Sequence, residues 1–467
     1  MASNDLIMII PGITGSTLAR DGTDIWSSKP VTLLSALATL GSNIRKLQLP
    51  DDIGDQAPDD GIYARALFSH LHFVPGLWSP IHGYEKLVRR LQAVCARTTC
   101  NQRQFGHLNP VVFPYDWRLS NRYNGHQLKA SAEKALAQWQ ECAPQNRDAK
   151  IVFVCHSMGG LIARWYISKE GGAPLTRKMI TLGTPYRGAI KALSVLADGP
   201  MPKLGRFGER LHPVVRSFPS VHQLLPSYAC VDPGNGDLGY LKDQMDLVLS
   251  SSARRDAALF YQELEDAETA DCGGAERRHA IVGTRQPTST SAALTADGRY
   301  LFSDLLGHLD LAGDGTVSAA SGPKGVALDD NSIHRIADRH GHLQCNSAAL
   351  DEIESVVTSE PIIVKAGLNQ ELSISAPEVL VGGEPLAATI SSPGGRRSIV
   401  ISIADEHGKL IAEQIQVLRN GVIDYHTPPL PPGGYALKAH VVNDKMGGVN
   451  VPFLVWPDQR GGGTSIH

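Results

Sequence analysis

Apolar residues in this chain gather in short runs separated by segments with helical spacing. Leu6–Ile10 is a continuous apolar run, and in Ile151–His156 five of six residues are apolar. Unbroken runs of this length, rich in β-branched residues, predict strands buried on both faces, as in a parallel sheet. Shorter runs at Val111–Phe113, Met179–Leu182, His279–Val282 and Ser332–Ala337 predict further strands. Between them the period changes to that of a helix: Tyr84, Leu87, Val88 and Leu91 within Gly83–Val94, then Gly125–Cys142. Leu161, Ile162, Trp165 and Tyr166 follow at helical spacing after Ser157, a further helix ends near Leu196, and Asn346–Val357 closes the series. Strands alternating with helices predict an α/β fold, a mostly parallel sheet with helices on both faces. From Asp198 to about Gly274 we read no buried strand, only Pro, Gly and loose apolar clusters such as Val221–Pro226. An insertion there, above the carboxyl ends of the strands, predicts a cap.

Past Pro361 the texture changes. Glu371–Ser375, Ser398–Ile403, Leu410–Val417, Tyr435–Val442 and Val449–Leu454 alternate with period two, and Pro-Gly turns separate them. This predicts an all-β sandwich resembling an immunoglobulin-like module. The expected organisation is a catalytic α/β unit over 1–360, with its cap at about 198–274, a β-sandwich over 361–459 and a frayed tail over 460–467. The module carries no cluster of titratable residues, so it is expected to bind a protein partner, to position the catalytic unit, or only to stabilise it.

The chain has 467 residues, 42% hydrophobic and 19% charged, with a formal net charge of -3. This is ordinary globular composition and offers no electrostatic case for nucleic acid. No apolar run is long enough to span a bilayer, and Met1–Asp5 lacks the basic residues of a secretory signal. Seven scattered cysteines do not form a disulfide framework, and their odd number leaves one free. A reducing, cytoplasmic setting is expected, with no cofactor and no metal.

Candidate chemistry centres on Ser157. A buried strand that becomes a helix within two residues needs a sharp bend, and Ser157 stands at its apex with Gly159 and Gly160 behind it. The bend exposes the hydroxyl and aims a helix N-terminus at whatever it attacks. It resembles the nucleophile elbow of α/β-hydrolases, with Cys155, expected to be an inert buried thiol, where the usual pattern has its first Gly. The structural alternative is a strand-helix corner whose Ser merely caps the helix. Ser needs a base oriented by an acid, in the chain order Ser, acid, His. Asp314, flanked by glycines in Leu311–Val317, is the candidate acid, with Asp310 as competitor. The base is expected in the loop Asp338–His342. His340, followed by Gly and free to swing over the site, is preferred to His342, while His334 inside a strand is structural. The Gly-rich loop Pro11–Ser16 after the first strand points to the Ile13 N–H as one oxyanion donor and the Met158 N–H as the other. Leu77, in Pro75–Trp78, could replace Ile13. Asp116 and Arg118 read as a structural corner.

Ile10–Ser16, Tyr115–Arg118, His156–Gly159, Gly183–Pro185, Pro219–Pro226 and Gly313–Val317 together resemble the lecithin:cholesterol acyltransferase-like branch of the α/β-hydrolases, over about residues 6–357. The resemblance implies Ser157, Asp314 and His340 as a catalytic triad, an oxyanion donor after the first strand, and a lipid acyl ester as substrate. It departs from the family at Cys155, and the long hydrophobic membrane-docking stretch of the animal enzymes is not evident. The expected function is a serine esterase or lipase that hydrolyses or transfers the acyl group of a lipid or phospholipid, with transient membrane contact through the cap. Two alternatives stand beside it: a catalytically inactive binding scaffold, and a thioesterase or amidase on a non-lipid substrate.

Overall fold

The computed structural model describes residues 4–27, 44–68, 83–98, 109–244, 249–271, 273–323, 333–359, 372–393, 397–442 and 448–457. Six strands form the central sheet: β1 (Leu6–Ile10), β2 (Val111–Val112), β3 (Ile151–His156), β4 (Thr176–Leu182), β5 (Arg278–Gly283) and β6 (Ile333–Ile336). Their order is β6-β5-β4-β3-β1-β2, and every pairing is parallel. Leu6 pairs with Ile151 and Ile10 with Cys155, so the two most apolar runs lie side by side at the centre.

Period two then sends alternate residues to opposite faces. Leu6, Met8, Ile10, Ile151, Phe153 and Cys155 join one apolar core. Ile7, Ile9, Val152, Val154, Ile180 and Leu182 join a second. The sheet is covered by α1 (Glu85–Thr98), α2 (Asn121–Cys142), α3 (Gly159–Lys169) and α4 (Ser347–Thr358). Leu128, Ala132, Leu136 and Trp139 of α2 and Leu161, Ile162 and Tyr166 of α3 fill the first core. Leu87, Leu91 and Val94 of α1 and Leu350, Ile353 and Val357 of α4 fill the second. Helix α2 starts one turn earlier than its apolar spacing predicts, because Ser120 accepts the Tyr123 N–H and caps it. Asn346 caps α4 in the same way.

The chain leaves β1 for β2 on one side and returns to β3 on the other. Loops after β1 and β3 therefore diverge at the carboxyl edge, the crevice where open α/β sheets bind ligands. The segment between α3 and β5 differs from expectation. It contains a strand, Ala229–Asp232, with Cys230 and Val231 fully buried, which pairs in parallel with Ser291–Leu294. Four residues bounded by a Pro-Gly-Asn-Gly turn were too short to signal a strand. The four-stranded layer built around it also includes Tyr300–Ser303 and Gly239–Tyr240. Among the described residues, no helix is long and apolar enough to cross a membrane.

The C-terminal module is all-β. A three-stranded sheet (Ser373–Ser375, Ala387–Ser391, Val422–His426) faces a five-stranded one (Val379–Val381, Gly448–Trp456, Gly433–Val441, Arg397–Asp405, Leu410–Leu418). Ile374, Ile390, Ile399, Ile401, Leu437 and Phe453 fill the space between them. The strands at Val379–Val381, Ala387–Ser391 and Val422–His426 escaped the sequence pattern because they are short and carry only one or two buried apolar side chains each. Residues 460–467 lie outside the described residues.

Candidate active site

Ser157 sits between β3 and α3 with φ +53°, a left-handed conformation that non-glycine residues seldom adopt. Its backbone is held on both sides. Ser157 N–H donates to Leu182 O on β4 (2.8 Å), while Ser157 O accepts from Gly160 N–H (3.0 Å) and Thr184 Oγ1 (2.9 Å). The small residues behind it are dictated by close approach. A Cβ on Gly159 would stand 2.4 Å from Pro11 O, and one on Gly160 would stand 2.1 Å from Thr184 Oγ1. Cys155 points into the core instead, where burial pushes its thiol up, in keeping with an inert side chain.

Asp314, His340 and Ser157 come together in one hydrogen-bonded chain. His340 Nδ1 donates to Asp314 Oδ2 (2.7 Å), and His340 Nε2 accepts from Ser157 Oγ (2.8 Å). A carboxylate can only accept, so the first bond fixes the tautomer that leaves Nε2 free to take the serine proton. Asp314 Oδ1 accepts the N–H groups of Thr316 (2.9 Å) and Val317 (2.7 Å), which orients the carboxylate. His340 N–H donates to Asp314 O (2.8 Å), so the acid and base loops are tied through the backbone too. All three side chains are buried. His340 therefore differs from the freely swinging loop residue expected from its Gly neighbour. It opens a 3-10 helix, His340–Cys345, and is held at both ring nitrogens.

Other titratable residues fall elsewhere. His342 Nδ1 bonds to Asp338 Oδ2 (2.6 Å), which also accepts from Asn346. Asp310 is exposed on a hairpin strand and accepts the Ala312 N–H. His334 on β6 pairs with Glu352. Arg118 is fully buried and held by Asp116, Asp60 and Leu47 O, a structural corner. Leu77 and the rest of Pro75–Trp78 lie outside the described residues.

Ile13 and Met158 are both fully buried. Among the described residues neither N–H has an intramolecular acceptor. A Cβ on Gly12 would lie 2.9 Å from Ser157 Cβ, so the loop after β1 packs directly on the elbow. Buried amides without acceptors are costly unless something else accepts from them, which suits them to a negatively charged oxygen.

One part of the site was not read from the sequence. His156, beside the serine, points to the opposite face from Cys155. Its Nε2 donates to His340 O (2.9 Å) and its Nδ1 accepts from Tyr84 OH (2.8 Å). Tyr84 OH in turn accepts the Gly12 N–H (2.8 Å). Burial, reinforced by the neighbouring His340, pushes His156 down to about 3, so it stays neutral and keeps its donor for the His340 carbonyl. Burial likewise holds the Tyr84 phenol protonated. This relay joins the loop after β1, the elbow and the base. Its sequence signal was a histidine closing an otherwise apolar strand.

Comparison with known proteins bears on these residues. A family model described as lecithin:cholesterol acyltransferase matches residues 101–261, a span that takes in Ser157 and Met158 and stops before Asp314 and His340. Lysosomal phospholipase A and acyltransferase from Homo sapiens is 24% identical over 263 residues, covering 52% of this chain and 61% of that protein. The Rattus norvegicus protein of the same name is 24% identical over 267 residues, covering 53% of this chain and 62% of its own. The chain thus spans under two thirds of the length of these relatives. A chain in the crystal structure of the Tle4–Tli4 complex superposes with a TM-score of 0.50 at 15% identity, covering 76% of this chain and 98% of that one. The chain is therefore similar to the lecithin:cholesterol acyltransferase-like group, as its motifs imply, and its fold is that of an α/β-hydrolase followed by an all-β module.

Proposed function

We propose that this chain is a serine hydrolase that cleaves a lipid acyl ester or transfers its acyl group. The observation that carries the reading is the buried hydrogen-bond chain Asp314–His340–Ser157 ending on a strained elbow serine. Ser157 Oγ attacks the acyl carbonyl as His340 Nε2 takes its proton, and the new imidazolium is stabilised by Asp314 Oδ2. The Ile13 and Met158 amides hold the oxyanion. Collapse returns the proton to the departing alkoxide and leaves an acyl-serine, which water or an alcohol releases through the same base. Lipid as the acyl donor is supported by the relatives, which are named for phospholipase A and acyltransferase activity.

Turnover of a short p-nitrophenyl ester tests the chemistry. Ser157→Ala is expected to lower kcat by roughly 10⁴- to 10⁶-fold. Wild-type turnover in that variant would contradict the reading. Mass spectrometry of total lipids incubated with wild type and with Ser157→Ala tests the substrate: the expected result is loss of an ester lipid and gain of fatty acid or a new ester with the wild type alone.

A further inference from the structure

The loops that hold the acid and the base are also those against which the C-terminal module sits. Gln286, in the turn after β5, is fully buried. Its backbone N–H donates to Gly313 O (2.9 Å), just before Asp314. Thr288 Oγ1 donates to Gln286 O (2.8 Å) and accepts the Gly315 N–H (2.8 Å), just after Asp314. Residues 286–288 thus bracket the acid on both sides. The Gln286 side chain reaches the module: Nε2 donates to Leu372 O (3.2 Å) and Oε1 accepts the Ile374 N–H (3.3 Å).

Among the described residues Ser373–Ser375 is an edge strand, paired with Ala387–Ser391 alone. The Gln286 amide stands on its open edge, where a neighbouring strand would otherwise pair. Arg339, the residue before His340, donates from its guanidinium to Ile374 O. The same guanidinium lies against Gly315, where a Cβ would stand 3.1 Å from Nη1. Leu372 and Ile374 are themselves rooted in the module's apolar core. One strand of the module therefore grips the acid loop through Gln286 and the base loop through Arg339. The module touches the α/β unit elsewhere as well, in a Lys191–Glu378 ion pair (3.2 Å) and a contact of Phe207 with Trp456. Neither of those touches Asp314 or His340, although the Glu378 carboxylate also acts on the Arg339 guanidinium.

We propose that the C-terminal module is part of the catalytic framework, its edge strand at 372–375 holding the acid and base loops in register through Gln286 and Arg339. This rests on the serine-hydrolase reading. Gln286 and Arg339 are positioning residues: they set the distance from Asp314 to His340 without touching the serine.

The test uses the full chain, a short p-nitrophenyl ester, and active sites counted by fluorophosphonate labelling. Gln286→Leu keeps the volume and removes both side-chain hydrogen bonds. It is expected to lower kcat per labelled site by about tenfold to a hundredfold with KM nearly unchanged. The acidic limb of its pH profile should move, because His340 no longer meets Asp314 at the same distance. Gln286→Glu keeps the acceptor for the Ile374 N–H and should recover part of the loss. Phe207→Leu, at the contact with Trp456, should match the wild type in both readouts. The proposal is overturned if Gln286→Leu reduces only the number of labelled sites, with kcat per site and pH profile unchanged, since that is a purely structural effect. Should Gln286→Leu not fold, the same readouts on Gln286→Glu decide the matter. A wild-type protein that neither labels nor turns over would instead contradict the serine-hydrolase reading itself, before any variant is made.

Discussion

The segment that carries Ser157 and the loops that carry Asp314 and His340 meet through the Ser157–His340 bond (2.8 Å) and the bond from His156 Nε2 to His340 O (2.9 Å), yet they are built differently. The serine belongs to a continuous strand and helix, and its conformation is set by neighbours in adjacent strands: Leu182, Thr184 and the loop after β1. The acid and base stand on irregular backbone after β5 and β6. They are placed by long-range hydrogen bonds from Gln286, Thr288 and Arg339, and by the His156–Tyr84 relay. The difference separates two kinds of failure. Damage to the elbow should act through stability, whereas damage to the loops should act first on the rate.

The sharpest break concerns two histidines of the same loop. His340→Ala should reduce ester turnover on the order of 10⁴-fold or more, because Ser157 loses its base. His342→Ala removes a ligand of Asp338 and should lower activity far less. Comparable losses in kcat from the two would mean the base has been misassigned.

On the elbow side, Gly160→Ala places a Cβ against Thr184 and disrupts its bond to Ser157 O. The expected cost is roughly 1–3 kcal/mol of stability. Denaturant unfolding of this variant at wild-type stability would show that the strand-helix packing is looser than described. Tyr84→Phe, on the loop side, leaves the Gly12 N–H and His156 Nδ1 without their shared partner. It should cost about 1–3 kcal/mol and slow turnover as well. Normal kcat in the folded variant would remove the relay from the account.

The most gradual effect is one of pH. An unfolded chain protonates His156 near the ordinary histidine value of 6.5, but in the folded protein burial and His340 hold it down to about 3. Between these values the unfolded state binds more protons, so stability falls as pH drops from 6.5 toward 3. The limiting slope from this one group is about 1.4 kcal/mol per pH unit. Thermal unfolding of His156→Gln across that range should show a flatter dependence than the wild type. An identical slope would mean the group titrates normally.

The same contrast explains what could be read from the sequence. Ile151–Arg164 is local, and its period change, apex serine and glycines are all consecutive, so strand, bend and helix were legible together. The doubly wound sheet was legible for the same reason, as runs buried on both faces have few other homes. Asp314 and His340 could be named only by combining loop chemistry with chain order, and nothing in the sequence distinguished a swinging His340 from the fixed one observed. Gln286 and Tyr84 gave no signal, because their roles arise from partners 86 and 72 residues away. The short strand Ala229–Asp232 was hidden because tertiary pairing, not periodicity, makes it a strand.

The most direct measurement of the central claim is intact and peptide mass after treatment with a fluorophosphonate. The account predicts one adduct per wild-type chain, on Ser157, and none in Ser157→Ala or, at matched exposure, in His340→Ala. Labelling at another residue, or equal labelling with His340 replaced, would contradict it.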